Sequence, residues 1–340
     1  MTSIQAVPER KKRNLLQRLQ RSFWKRVHWM DDFVIFPFVG SIKILVLRAS
    51  ERWGGPKALL WALTPFFYLS IARRLPDYPA FRRMRSILPA SFWRGLTPWR
   101  HYFLMIRNWQ ATQATVLLAD RLRSSVWTER IRIKGTPPHH LPEWGKRPVI
   151  LVFLHTGGYP LLRYWLRAQG LPSATYAVNP ISFSQRSLAK KIIAAADEIN
   201  GLSGVPHIFR VKRPIRPMLN FLVPGHILNL ALDALPSSSS TRFHANGQEI
   251  HLRTGIVKMA AISQAVLLPV SIVPQGLCRF EIRFGIPVPD ESIDRLHPEP
   301  AVQFMLDQLW KDVEEDPSLV NWCTLHALAP HSIPHHLAWP

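Results

Sequence analysis

The chain has 340 residues, 43 of them Lys or Arg against 22 Asp or Glu, for a formal net charge of +21. That length holds one large domain or two modest ones, and the charge favours a polyanionic counterpart: nucleic acid, an anionic lipid surface or an acidic carrier protein. Thirteen Trp and seventeen Phe favour a membrane interface, where aromatic rings settle, over a plain nucleic-acid arm. The two cysteines, Cys278 and Cys323, argue against a disulfide framework or a cysteine zinc site and make a reducing compartment the default.

In residues 9–29, Leu15, Leu16, Leu19, Phe23 and Val27 fall at helical spacing, while the other face carries Arg10, Lys11, Lys12, Arg13, Arg18, Arg21, Lys25 and Arg26. A basic amphipathic helix with Trp24 and Trp29 near its end suits the headgroup level of a membrane. The apolar runs 33–42 and 58–72 follow. Both are shorter than the about 20 apolar residues of a spanning helix, so residues 1–75 are expected to lie against a membrane rather than cross it. Residues 76–146 read as a helical segment and linker, jointed at Pro76, Pro79, Pro89 and Pro98, with Trp93, Trp99, Trp109 and Trp127 as packing groups. Adjacent His139 and His140 make a poor metal site, and none is expected.

From Arg147 the texture changes to short β-rich runs (149–154, 174–178, 207–211, 227–232, 266–273 and 280–284) separated by helical stretches. This alternation predicts an α/β core over 147–325, a mixed, mostly parallel sheet flanked by helices. Asn246-Gly247 predicts a hairpin turn, and residues 298–316 a closing amphipathic helix. The tail 326–340, with His331, His335 and His336, reads as low-order sequence.

The most informative stretch is Val149-Ile-Leu-Val-Phe-Leu-His155-Thr-Gly-Gly-Tyr-Pro160. An unbroken apolar run predicts a strand buried on both faces, and Pro160 suits the first turn of a helix. His155 is thereby placed at the carboxyl end of a core strand, the edge where ligands bind in open α/β sheets. With an ordinary pKa of about 6.5, a histidine there suits general-base work near neutral pH. The amides of Thr156, Gly157 and Gly158, with the helix start, are expected to receive an oxyanion, the glycines letting a substrate come close to the backbone.

Further blocks follow in order: Gly225-His-Ile-Leu-Asn-Leu-Ala-Leu-Asp233, Phe243-His-Ala-Asn-Gly-Gln248, Arg253-Thr-Gly-Ile-Val-Lys-Met-Ala-Ala261, Arg279-Phe-Glu-Ile-Arg-Phe-Gly-Ile-Pro-Val-Pro289 and 317–322. With the His155 loop, this ordered set resembles the lysophospholipid acyltransferase superfamily, closest to the bacterial acyltransferases of lipid A biosynthesis. That family has an aspartate or glutamate five residues after its histidine, where this chain has Pro160. A backbone carbonyl, or Asp233 brought near by the fold, is left to orient His155; Asp233 otherwise reads as a structural strand-end residue.

The resemblance implies an O-acyltransferase on the cytoplasmic face of an inner membrane, peripheral or monotopic, with no cofactor and no nucleic acid. The donor would be an acyl carrier protein or acyl-CoA thioester, and the acceptor a hydroxyl of a membrane lipid or glycolipid on an anionic surface. His155 would be the base, and Arg163, Arg167, Asp233, Arg253 and Thr254 the substrate-binding set. Arg210, Lys212, Arg213 and Arg216 form a basic cluster open to carrier docking or to mere surface charge. The rival expectation is a catalytically degenerate relative that binds lipid or a partner enzyme, and Pro160 favours it.

Overall fold

The computed structural model describes residues 78–117, 129–177, 207–209, 215–233, 241–276 and 279–321, apart from 87 and 246, with scattered positions at 49–75 and at 324, 325 and 328. The basic helix expected at 9–29, the run 33–42, Trp127, Arg210, Lys212, Arg213 and the tail histidines lie outside the described residues.

The described helices are α1 (Tyr78–Arg85), α2 (Pro98–Leu117), α3 (Leu161–Ala168), α4 (Ile215–Phe221), α5 (Gly255–Ser263) and α6 (Glu299–Glu315). The strands are β1 (Ile131–Lys134), β2 (Val149–Phe153), β3 (Ser173–Ala177), β4 (His207–Phe209), β5 (Ile227–Ala231), β6 (Thr241–Ala245), β7 (Gln248–Leu252), β8 (Val266–Gly276) and β9 (Arg279–Phe284). Seven strands form one sheet in the order β1-β9-β8-β2-β5-β3-β4. Every neighbouring pair in it is parallel except β8 with β9. The expected mixed, mostly parallel sheet flanked by helices is therefore the observed one.

The absence of polar alternation in β2 has a direct cause in packing. Val149, Leu151 and Phe153 join the core cluster on one face, with Leu161, Leu162, Trp165 and Leu166 of α3. Ile150, Val152 and Leu154 join the cluster on the other face, with Ile256 and Val257 of α5 and Met305, Leu309 and Trp310 of α6. All five β2 residues are buried, and each such side chain contributes roughly 1.5–3 kcal/mol by leaving water. The strand thus sits at the centre of two helix–sheet layers, and whatever follows its carboxyl end is held by both.

β6 and β7 pair as an antiparallel hairpin, Ala245 opposite Gln248, with Gly247 at φ +73°. A hairpin turn of this length favours a residue that tolerates positive φ. The closing helix expected at 298–316 is α6, Glu299–Glu315, which is tied to β9 by Arg283: its guanidinium bonds Glu281 at 2.6 Å, Glu315 at 2.8 Å and Asp312.

One element departs from expectation. Ile131-Arg-Ile-Lys134 lies in the stretch read as helix and linker, yet it forms edge strand β1 and pairs in parallel with β9, Ile131 opposite Phe280. Its residues alternate apolar and basic, the period of a strand. Only Ile131 of the four is buried.

Candidate active site

β2 and β5 are adjacent parallel strands in register, Phe153 opposite Ala231. Two residues beyond that pair, His155 and Asp233 leave the sheet side by side at its carboxyl edge. Asp233 is 2% exposed, and its carboxylate is saturated from three directions. Its Oδ1 accepts from His155 Nδ1 at 2.8 Å. The His155 backbone N–H donates to both oxygens, at 2.9 and 3.0 Å. The Thr324 hydroxyl lies 3.1 Å from Oδ2. A carboxylate buried this deeply would be costly without such donors.

This arrangement sets the imidazole's tautomer. An ionised carboxylate only accepts, so in the neutral ring Nδ1 carries the proton and the lone pair sits on Nε2. The ring packs edge-on to Tyr159, centroids 4.7 Å apart at 86°, with Phe153 at 5.8 Å. The His155 side chain keeps 12% of its surface exposed against 1% for Asp233, so the pair presents its imidazole, not its carboxylate, to the outside. Asp233, expected among the substrate-binding groups or as the group that orients His155, is enclosed, with its carboxylate bonded to His155 and Thr324.

The loop after His155 is held by its own backbone contacts. The Thr156 amide donates to Leu154 O at 2.7 Å, the Gly157 amide to Leu319 O at 3.2 Å and the Gly158 amide to Ile272 O at 2.9 Å. All three amides assigned to an oxyanion are thus spent on holding the loop. The glycines serve the same end. Gly157 adopts φ +53°, and a Cβ there would stand 2.2 Å from Ile272 O; at Gly158 it would meet the Phe280 ring at 3.0 Å. Close approach is required here by β8 and β9.

Helix α3 begins at Leu161 with Pro160 at its cap, as expected. Arg163, in its first turn, lays its guanidinium 4.5 Å from the Tyr164 ring centroid and donates to the Tyr164 hydroxyl. Arg167 stands in the last turn, about 6 Å further along the axis. Arg253 and Thr254 precede α5, with Thr254 as its cap; that helix ends just before Val266, opposite Val149 at the start of β2. Arg216 is exposed in α4.

Sequence reasoning gave no role to Thr324. It is 1% exposed, in a segment packed behind the loop: Leu319 O takes the Gly157 amide, and Val320 O lies 2.9 Å from His101 Nε2. No local pattern around residue 324 signals this, because its partners come from strands far away in sequence. Among the described residues no group of three His, Cys, Asp or Glu is placed to hold a metal ion, and no helix is long and apolar enough to cross a membrane.

No family model and no curated protein matches the chain. Among solved structures it is similar to the 1-acyl-sn-glycerophosphate (LPA) acyltransferase PlsC from Thermotoga maritima, at 14% sequence identity and a TM-score of 0.36, over 75% of this chain and 95% of that one. A likeness this distant carries no argument about chemistry.

Proposed function

We propose that this protein is an O-acyltransferase that moves a fatty acyl group from an acyl carrier protein or acyl-CoA thioester to a hydroxyl of a membrane lipid or glycolipid. The observation that carries the reading is the 2.8 Å contact between His155 Nδ1 and the buried Asp233 carboxylate. It supplies from a neighbouring strand the acidic partner that Pro160 denies the loop. Nε2 takes the proton of the acceptor hydroxyl as its oxygen attacks the thioester carbonyl, and Asp233 supports the imidazolium. The tetrahedral intermediate then expels the thiolate, and the imidazolium returns the proton to sulfur.

Arg163 and Arg253 are the groups we assign to an anionic acceptor headgroup, the latter beside a helix start that favours negative charge. The net charge of +21 supports work at an anionic leaflet, where each nearby basic residue contributes about 1 kcal/mol. The place we assign is the cytoplasmic face of the inner membrane. A second reading, a lipid-binding relative without activity, is favoured by one observation: the amides of Thr156, Gly157 and Gly158 are already occupied.

The test is acyl transfer in detergent from labelled acyl-carrier and coenzyme A thioesters to a panel of lipid hydroxyls, with wild type and His155→Ala side by side. Transfer by wild type and its loss in the variant, with folding intact, is the expected result. Equal transfer by both rejects the role of His155. Lipid binding without transfer to any acceptor selects the second reading.

A further inference from the structure

We infer that Thr324 is a positioning residue of the site, its hydroxyl fixing the rotation of the Asp233 carboxylate so that Oδ1 faces the imidazole. The inference rests on the reading of His155 and Asp233 given above and adds a third member to the pair. A hydroxyl has one proton to give, and Thr324 Oγ1 lies 3.1 Å from Asp233 Oδ2 and 3.3 Å from the His155 carbonyl oxygen. The ionised acceptor makes the stronger bond, so the proton goes to the carboxylate. Among the described residues Oδ2 otherwise receives only a share of the His155 backbone N–H, at 3.0 Å. Without the hydroxyl, the carboxylate can turn part-way about Cβ–Cγ, which carries the Nδ1 acceptor out of line.

The surroundings deliver Thr324 to this contact. Asp316 caps the turn Pro317–Leu319, accepting from the Ser318 amide at 3.0 Å. Leu319, Val320 and Leu325 are buried at 3%, 0% and 0%. The Thr324 amide is held by the Asn321 side chain at 3.3 Å. At 1% exposure Thr324 touches no substrate, so its effect on chemistry runs through Asp233 alone.

The experiment compares wild type, Thr324→Val and Thr324→Ser in two readouts. One is the Nδ1 proton of His155 in protein carrying nitrogen-15 histidine, assigned by its disappearance in His155→Ala. The other is kcat and KM for transfer. Valine keeps the branched shape without the hydroxyl, and serine keeps the hydroxyl without the methyl. The expected result is a protected Nδ1 proton in wild type and Thr324→Ser that exchanges away in Thr324→Val. With it goes a fall in kcat of about 10–100-fold at unchanged KM in Thr324→Val alone, the scale of misplaced catalytic geometry.

A Thr324→Val protein with the wild-type resonance and kcat overturns the inference, as does a wild type in which the Nδ1 proton is never protected. Equal losses in serine and valine variants overturn it too, since the methyl would then be the group that matters. If wild type transfers to no acceptor, the transferase reading falls, while the resonance comparison still decides the role of Thr324.

Discussion

His101 in α2 and His155 after β2 each offer one ring nitrogen to an oxygen about as far away, 2.9 Å to Val320 O and 2.8 Å to Asp233 Oδ1. Their surroundings separate them. His101 is fully buried between Phe81 and Trp93, and its Nδ1 has no hydrogen-bond partner among the described residues. Burial pushes its pKa from 6.5 down to about 3, only partly offset by the Val320 carbonyl. It is a neutral ring that packs. His155 has a carboxylate behind it and solvent within reach, so a proton arriving on Nε2 meets a stabilising charge. An imidazole's usefulness is thus set by what stands behind one nitrogen and what can reach the other.

The largest expected effect removes that charge. Asp233→Asn keeps the shape but not the support for the imidazolium, and turnover should fall about 10²–10⁴-fold with folding retained. Steady-state transfer reads it out, and activity within twofold of wild type would erase the contrast between the two histidines.

Next comes the loop that aims His155. Gly157→Ala adds left-handed strain and a Cβ against Ile272 O; it should cost at least about 1–3 kcal/mol and lower transfer. Gly145, at φ +79°, provides the control, because a Cβ there would have nothing within 4 Å: Gly145→Ala carries the strain without the collision. Denaturant midpoints should rank Gly157→Ala well below Gly145→Ala, and equal midpoints would show that strain alone governs both positions.

The smallest effect concerns His101. The unfolded chain binds a proton at this histidine below about 6.5, the folded chain only near 3. Stability from its burial is therefore fully present above pH 6.5 and is lost as pH falls towards 3, by up to about 1.4 kcal/mol per pH unit. His101→Gln keeps an N–H for Val320 O but cannot titrate. Chemical denaturation at pH 7 and pH 5 should show a flatter pH dependence in the variant, with transfer at pH 7 little changed. An unaltered slope would mean that another group sets the acid limit.

The two histidines also show what a sequence makes legible. His155 stands out because strand, glycines and helix start are contiguous, and the hydrophobic periods of β2 and α3 are local. Its partner is legible only as one of two candidates, Asp233 or a backbone carbonyl, for a physical reason. The register that sets Phe153 opposite Ala231 is a property of strand pairing between segments that place His155 and Asp233 78 positions apart, whereas within one turn of His155 the family's acidic position holds Pro160. The same holds for the Gly157 and Gly158 amides, whose acceptors, Leu319 O and Ile272 O, belong to segments that only the finished sheet brings near. Long apolar runs were legible as strands. β1 was not, because four residues with one buried side chain give too short a pattern to outweigh the helical stretch before it.

That short outer strand has a consequence for solubility. An uncovered sheet margin is a template on which another chain's backbone can pair. Among the described residues one margin ends in Ile131-Arg-Ile-Lys134, where the exposed Arg132 and Lys134 make stacking of like copies electrostatically unfavourable, and the other ends in the three residues of β4. The charges on β1 oppose growth of a sheet whose middle strands are among the most apolar of the chain, and Arg132→Val with Lys134→Val would open that margin to aggregation.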